Sequence, residues 1–146
     1  MKSYTFGIIG CGLMGREFAS AASRWCHFTA DVPRPEIVAV CDVNPANTVW
    51  FERNVPGLRQ VYSDYRQLLA DPEISVVYIA VPHILHQEIF IEAIKAGKHI
   101  MGEKPFGMDQ AQNKAIMQAL ADHPQVFARC SSEFPFFPAM QLLIRW

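Results

Sequence analysis

Short apolar runs alternate along the chain with longer segments in which apolar residues recur every three or four positions. The runs are rich in β-branched residues and end near glycine, proline or acidic residues, which is typical of buried strands. The longer segments have helical spacing, with Asp64 and Asp109 as helix N-caps and Gly97 as a helix stop. The pattern predicts strands over residues 4–9, 37–42, 61–62, 74–81, 99–101 and 126–130 and helices over residues 14–23, 46–54, 65–70, 86–96, 110–122 and 138–146.

The predicted elements alternate between strand and helix, and the strands are apolar throughout. Strands of this kind are buried on both faces, as in a parallel sheet that helices cover on its two sides. Residues 24–35 contain two prolines and show no clear period, so we predict a loop there. The sequence therefore predicts an α/β fold with a doubly wound parallel sheet of the Rossmann type.

Composition narrows the class of protein. Apolar residues make up 51% of the 146 positions and charged residues 18%, which suits one globular domain with a sizeable core. The net charge of −1 provides no basic field for nucleic acid or an anionic membrane, and the longest apolar run, residues 76–81, is far too short to span a bilayer. The four cysteines have no metal-ligand spacing, so we predict reduced thiols in a cytoplasmic protein.

A glycine-rich hexapeptide follows the first predicted strand and opens the first predicted helix. In this context the pattern GxGxxG indicates a dinucleotide-binding loop. Its first glycine permits a tight turn, its second lets the backbone approach a pyrophosphate, and its third allows close packing of helix and strand. The phosphates would lie against free amides at the positive end of the helix. The residues that we predict to bind a cofactor here are Gly10, Cys11, Gly12, Leu13, Met14 and Gly15.

An acidic residue, Asp42, ends the second predicted strand. Its carboxylate can accept hydrogen bonds from the ribose hydroxyls of NAD and would repel the 2′-phosphate of NADP, so we predict NAD as the cofactor. The 27 residues from Gly15 to Asp42 exceed the usual interval of about 20, and the loop over residues 24–35 accounts for the excess. Two alternatives stay open: a strand–turn–helix joint without a ligand, and a different ligand such as S-adenosylmethionine.

Ordered motifs across most of the chain resemble a known family. The stretches GIIGCGLMG, VAVCD and VYIAVPHILHQEIFIEAIKAGKHIMGEKP, within residues 4–130, are similar to the N-terminal half of the Gfo/Idh/MocA oxidoreductases, the relatives of glucose–fructose oxidoreductase and inositol dehydrogenase. The resemblance implies a Rossmann domain followed by an α/β domain with a large open sheet. It also implies hydride transfer between a nicotinamide cofactor and, most often, a carbon of a sugar or polyol.

The triplet Glu103-Lys104-Pro105 matches the EKP motif of that family. The resemblance implies that Lys104 lies on the substrate side of the nicotinamide, where it binds the reacting hydroxyl and assists proton transfer. It implies that Glu103 lies near the nicotinamide ribose and that Pro105 rigidifies the turn. A solvated loop with a chance ion pair is the alternative interpretation of the same three residues.

A second group of predicted cofactor contacts follows the fourth strand. These residues stand at the carboxyl edge, where open α/β sheets bind ligands. Pro82 and His86 match the family's P-x-x-x-H element, whereas His83 occupies a position where the family often has asparagine. A role for either histidine in capping the following helix stays open. The predicted contacts in this group are Val81, Pro82, His83 and His86.

The resemblance also sets the expected domain organisation. We expect residues 1–130 to form the cofactor domain, and residues 131–146, with Phe134, Phe136 and Phe137, to form a linker and the first helix of a second domain that is otherwise absent. The chain alone would then be inactive, and the full-length protein would be a homo-oligomeric NAD-dependent oxidoreductase acting on a sugar or polyol. A stand-alone NAD-binding module that senses redox state is the alternative, and elimination chemistry on bound NAD is a third.

Overall fold

The computed structural model describes residues 2–132, 135 and 137–144. Six strands form one sheet in the order β3-β2-β1-β4-β5-β6, and every neighbouring pair is parallel. The prediction of an α/β fold with a doubly wound parallel sheet is confirmed. The strands are β1 (Ser3–Ile9), β2 (Arg34–Cys41), β3 (Gln60–Tyr62), β4 (Val76–Ile79), β5 (His99–Glu103) and β6 (Ala128–Ser131).

Local capping chemistry places several helix ends. The Asp64 carboxylate accepts a hydrogen bond from the Arg66 amide at 2.9 Å, and Asp109 accepts one from the Gln112 amide at 2.8 Å, so each satisfies a free N–H group of a first turn. Gly97, with φ 73°, ends a helix in the left-handed conformation that glycine adopts at low cost. The helices are α1 (Leu13–Ser23), α2 (Val49–Asn54), α3 (Tyr65–Ala70), α4 (His86–Lys95), α5 (Gln110–Asp122) and α6 (Pro138–Ile144).

Helices cover both faces of the sheet. Along β4, Tyr78 packs in one apolar cluster with Phe51 of α2, whereas Val77 and Ile79 pack in a second cluster with Phe90 of α4. Successive side chains of a strand point to opposite faces, so these two clusters lie on opposite sides of the sheet. Each fully buried side chain of this size contributes about 1.5–3 kcal/mol to stability, and the two clusters hold the carboxyl edge of the sheet in place.

Several predicted boundaries differ from the structure. β2 begins three residues before the predicted start and includes Pro35, which pairs with Tyr4 of β1. β3 pairs with β2 only from Ala39 onward, so Pro35 has a neighbouring strand on one side only. Proline is tolerated at such an edge position because its missing N–H leaves no partner strand unbonded. The predicted helix over 46–54 divides into a 3₁₀ turn, Pro45–Asn47, and α2, and a further 3₁₀ turn, Arg24–His27, lies in the predicted loop.

The last part of the chain contains α6, which agrees with the predicted helix over the described residues. Phe134 and Phe136 of the predicted linker lie outside the described residues. All four cysteines are free thiols: Cys11 and Cys41 are buried, and Cys26 is exposed. No helix in the described part of the chain is both long enough and apolar enough to cross a bilayer.

Candidate cofactor site

The first two glycines of the motif meet different surroundings. Gly10 has φ 99°, and a Cβ built on it would overlap the carbonyl oxygen of Ala80 and lie 2.7 Å from its carbonyl carbon. Both the backbone angle and the close approach of the β4 end therefore require glycine there. A Cβ built on Gly12 meets no protein atom within 4 Å. Packing within the protein therefore does not explain glycine at position 12.

The third glycine lets α1 begin directly above the loop. A Cβ on Gly15 would overlap the carbonyl oxygen of Gly10 and lie 3.3 Å from its carbonyl carbon. Gly12 is the N-cap of α1 in extended backbone geometry, and no side chain caps the helix there. α1 has eleven residues, and the first amides at its N-terminus have no side-chain cap. Free amides at the N-terminus of a helix favour the binding of a phosphate group.

Asp42 connects the end of β2 to the glycine loop. One carboxylate oxygen, Oδ2, accepts a hydrogen bond from the Cys11 amide at 2.8 Å, and Oδ1 accepts one from the Asn44 amide at 2.8 Å. The loop itself is fastened by the Gly10 amide, which donates to the Cys41 carbonyl at 2.9 Å. These bonds fix the carboxylate beside the loop, and each oxygen keeps a second lone pair for a further donor.

A cavity of about 590 Å³ extends across the carboxyl ends of β1 to β4. The chain runs from β1 to β2 in one direction and reaches β4 on the other side of β1, so the cavity lies where the strand order reverses. Of the residues predicted from the sequence, five line it: Gly10, Gly12, Asp42, Val81 and Pro82. Its wall also contains Val43, Asn44, Asn47, Ser63, Asp64, Tyr65, Arg66, Leu85 and Glu88.

The wall formed by residues 63–66 is not among the residues predicted from the sequence. Tyr65 donates a hydrogen bond to Glu88 at 2.9 Å, and Arg66 forms an ion pair with the same carboxylate at 2.7 Å. These residues follow β3, and the rule that ligands bind at the carboxyl ends of parallel strands applies to β3 as it does to β1, β2 and β4. That rule was a usable signal, although the three-residue length of β3 made it weak.

The two histidines after β4 occupy different environments. His83 is exposed, in the 3₁₀ turn His83–Leu85, and its ring centroid lies 5.3 Å from that of His86. The His86 side chain is completely buried, and its nitrogens face the carbonyl oxygens of Pro105 and Val81. The structure therefore places His86 behind the cavity rather than in its wall, and direct contact of either ring with a cofactor stays a prediction.

The EKP triplet lies at the carboxyl end of β5, next to β4. Glu103 is buried, and one of its carboxylate oxygens accepts a hydrogen bond of 2.6 Å from the Tyr78 hydroxyl. Burial and that bond to Glu103 raise the pKa of Tyr78 well above its ordinary value. The Lys104 side chain is exposed, and the peptide bond between Lys104 and Pro105 is cis. The alternative of a wholly solvated loop does not fit a buried, partnered Glu103.

The thiols beside the cavity are held in the neutral form. Burial, and then the charge of Asp42, raise the pKa of Cys11 and of Cys41 from 9.0 to about 12. A thiol is nucleophilic only as the thiolate, so both act here as small packing groups. Leu13 and Met14, in the first turn of α1, have exposed side chains. No group of three potential metal-ligating side chains occurs within the residues that the structure describes.

Comparison with known proteins agrees with this geometry. Residues 4–129 match the model of the Gfo/Idh/MocA family, described as an oxidoreductase family with an NAD-binding Rossmann fold. The chain belongs to the Gfo/Idh/MocA oxidoreductase family. The resemblance drawn from the motifs is thereby confirmed, and so is the assignment of NAD as the cofactor class of this fold.

Individual members of the Gfo/Idh/MocA family are dehydrogenases. Levoglucosan dehydrogenase of Pseudarthrobacter phenanthrenivorans is 36% identical over 84% of this chain and 31% of its own length. A structure of levoglucosan dehydrogenase with NADH and levoglucosan has a TM-score of 0.86, with 31% identity over 99% of this chain and 39% of that one. D-xylose 1-dehydrogenase (NADP⁺) of Hypocrea jecorina is 34% identical over 61% of this chain and 24% of its own length.

A third relative adds a polyol enzyme. The scyllo-inositol dehydrogenase from Lactobacillus casei, with bound NAD(H) and scyllo-inositol, has a TM-score of 0.84 and 25% identity over 99% of this chain and 42% of that one. The chain thus spans between 24% and 42% of the length of these relatives.

Proposed function

We propose that this chain is the cofactor domain of a dehydrogenase that moves hydride between NAD and a hydroxyl-bearing carbon of a sugar or polyol. The observation that carries the proposal is Gly12, where a glycine faces open space at a helix N-terminus instead of protein. A joint without a ligand would need glycine at positions 10 and 15 but not at 12. The dehydrogenases among the relatives support the choice of reaction.

The glycine loop and Asp42 bind different parts of the cofactor. The free amides of the first turn of α1 bind the pyrophosphate, and the absence of a Cβ at Gly12 lets it approach the backbone. Asp42 accepts hydrogen bonds from the adenosine ribose and disfavours a 2′-phosphate in the same place. In the cavity wall, Arg66 is paired with Glu88 at 2.7 Å and Glu92 at 3.1 Å, which leaves it poorly placed to attract that phosphate.

Bound NAD would supply the hydride acceptor. A group of the protein must then accept the proton of the substrate hydroxyl. We assign that task to Lys104, whose exposed amine extends from the carboxyl end of β5. An ammonium group donates a hydrogen bond to an oxygen on which negative charge develops, and the neutral amine accepts the departing proton. Glu103, buried beneath it, fixes the backbone at that point through its bond to Tyr78.

The rest of the proposal concerns the whole protein. We assign residues 1–130 to the cofactor domain and 131–146 to the linker and first helix of a second domain that supplies most substrate contacts. The longer chains of the relatives support this division. We further propose that the full-length protein is a homo-oligomer in the cytoplasm, which four free cysteines suit, and that it binds neither nucleic acid nor membrane.

Calorimetric titration of the chain with NAD and, separately, with NADP tests the proposal. We expect tighter binding of NAD, and we expect Asp42→Ala to weaken it and to lose the preference over NADP. The matched control is Asp109→Ala, which removes another carboxylate that accepts a hydrogen bond from a backbone amide, at 2.8 Å, but at the start of α5. Wild-type chain that binds neither nucleotide would contradict the proposal and favour a joint without a ligand.

A further inference from the structure

We propose that His86 is a positioning residue that fastens the turn after β4 to the turn after β5. Its side chain is fully buried in the first turn of α4. Nδ1 lies 2.6 Å from the carbonyl oxygen of Pro105, and Nε2 lies 3.1 Å from the carbonyl oxygen of Val81. A single ring thus bridges the backbone of two segments that are 24 positions apart in sequence and adjacent at one edge of the sheet.

Both partners of the His86 ring are carbonyl oxygens, which only accept hydrogen bonds. A neutral imidazole has one N–H group, so it donates to one carbonyl and presents a lone pair to the other. The Nδ1 contact, at 2.6 Å, is shorter than the Nε2 contact, at 3.1 Å, so the geometry assigns the N–H group to Nδ1, which donates to the Pro105 carbonyl. This bond joins α4, which follows β4, to the turn after β5.

Aromatic packing holds the ring in this orientation. The His86 ring centroid lies 5.5 Å from that of Phe90, one turn further along α4, and Phe90 lies 4.8 Å from Phe106, just after the EKP triplet. A Cβ on Gly102 would overlap the Phe90 ring, so this ring packs directly on the backbone of β5. α4 therefore has two attachments to the segment that carries Lys104: an apolar one at Gly102 and a polar one at Pro105.

The polar attachment determines where Lys104 begins. Lys104 lies between Glu103, held by Tyr78 at 2.6 Å, and Pro105, held by His86 at 2.6 Å. The Lys104 side chain is exposed, so the fold fixes the backbone on either side of Lys104 and not the side chain itself. Small displacements of a reacting group cost large factors in rate, so a fixed origin favours catalysis. This step rests on the proposed function, since it takes Lys104 to act on the substrate, whereas the two hydrogen bonds do not.

The first test locates the proton on His86. We would record the ¹⁵N spectrum of the chain with labelled histidine at neutral pH and assign the His86 signals with the His86→Phe variant. We expect Nδ1 of His86 to show a directly bonded proton. His123, whose Nδ1 contacts one carbonyl, that of Ala119 at 2.9 Å, provides the internal comparison. An Nδ1 without a proton in His86 would overturn the bond to Pro105.

The second test asks whether the bridge holds the turn after β5. We expect His86→Phe, which keeps the aromatic packing but has no N–H, to speed hydrogen exchange at the Phe106 and Gly107 amides at least tenfold relative to the Ile100 amide. Ile100 is bonded within the sheet at 2.8 Å, so it reports general destabilisation of the fold. His123→Phe is the matched control and should leave the ratio unchanged. A ratio within twofold of wild type in His86→Phe would refute the positioning role.

Neither test requires a cofactor. Failure of the His86 bridge would therefore leave the titrations with NAD and NADP unaffected, and failure of those titrations would leave the bridge intact. If His86→Phe did not fold, the ¹⁵N spectrum of the wild-type chain would still decide whether Nδ1 carries a proton, with assignment through the short contact between the ring and the Pro105 backbone.

Discussion

Replacing Gly12 by alanine separates a glycine kept for a ligand from glycines kept for the fold. In the structure a Cβ at position 12 meets no protein atom within 4 Å. The backbone angles there, φ −70° and ψ −157°, are extended and open to alanine. The substitution therefore adds one methyl group to the place where we expect the pyrophosphate of NAD to approach the loop, and it disturbs no contact within the protein.

The expected effect on stability is small because two contributions oppose each other. Alanine in place of glycine at a compatible position stabilises a fold by about 0.4–1 kcal/mol, since the unfolded chain loses freedom. Alanine is also a poorer helix N-cap than glycine, which costs roughly 0.5–1 kcal/mol. The free energy of unfolding should thus change by less than about 1 kcal/mol. Forcing a methyl group against a bound pyrophosphate costs roughly 1–3 kcal/mol, so the Kd for NAD should rise about 5- to 150-fold.

The other two glycines of the motif should behave in the opposite way. Gly10→Ala places a Cβ at φ 99° against the Ala80 carbonyl, and these penalties of about 1–2 and 1–3 kcal/mol add to a loss of roughly 2–5 kcal/mol in stability. Gly15→Ala meets the Gly10 carbonyl and should lose about 1–3 kcal/mol by the second term alone. Gly57→Ala is the control, because its Cβ comes no closer than 3.4 Å to the Ile37 carbonyl oxygen.

Urea denaturation without nucleotide and calorimetric titration with NAD measure the two effects on the same four variants. We expect Gly12→Ala to change binding alone, Gly10→Ala and Gly15→Ala to change stability, and Gly57→Ala to change neither. Two results would refute the reasoning about Gly12: a loss of more than about 2 kcal/mol in its free energy of unfolding, or a Kd for NAD within twofold of wild type. The first would mean that the fold needs glycine there.

Three further predictions concern buried side chains of the fold. Because the pKa of Cys11 and of Cys41 rises from 9.0 to about 12 on folding, their contribution to the free energy of unfolding is full below pH 9 and is lost as pH rises toward 12. The contribution is at most about 4 kcal/mol for each thiol. Urea denaturation across that pH range should show a smaller loss of stability in Cys41→Ala than in wild type. Lys98→Met should cost about 2–3 kcal/mol in thermal unfolding, because the buried Lys98 amine donates to two backbone carbonyls, at 2.7 and 2.8 Å, that methionine leaves unpaired. Tyr78→Phe should cost about 1.5–3 kcal/mol by removing the donor to Glu103, and an unchanged melting temperature would contradict that bond.

Elements that depend on local chemistry were predictable from the sequence. The cap of α3 by Asp64 and that of α5 by Asp109 are formed between residues two or three apart, and the predicted starts of both helices are correct. Gly97 ends α4 through its own backbone angle. The glycine motif belongs to the same class, because the turn, the helix start and the strand before it are consecutive in the chain.

Features that depend on distant partners were not predictable in this way. β5 was expected to end at Met101, yet Glu103 pairs with Ser131 in the sheet and accepts a hydrogen bond from Tyr78, 25 positions earlier. His86 likewise finds Pro105 only once α4 has packed on β5. A motif shows that these residues occur in order, whereas the contacts of each ring and carboxylate come from the packing of helices on the sheet.

Asp42 illustrates how one residue of the motif serves both the fold and the ligand. Its two oxygens already accept amide hydrogen bonds from Cys11 and Asn44, each at 2.8 Å, so folding itself orients the carboxylate beside the loop. A site ordered by folding loses less freedom on binding, which favours affinity for any nucleotide that uses the loop. Removing Asp42 must therefore weaken NAD and NADP together through the loop and change their ratio through the ribose. The ratio, rather than either affinity, is what reports the contact of this carboxylate with the cofactor.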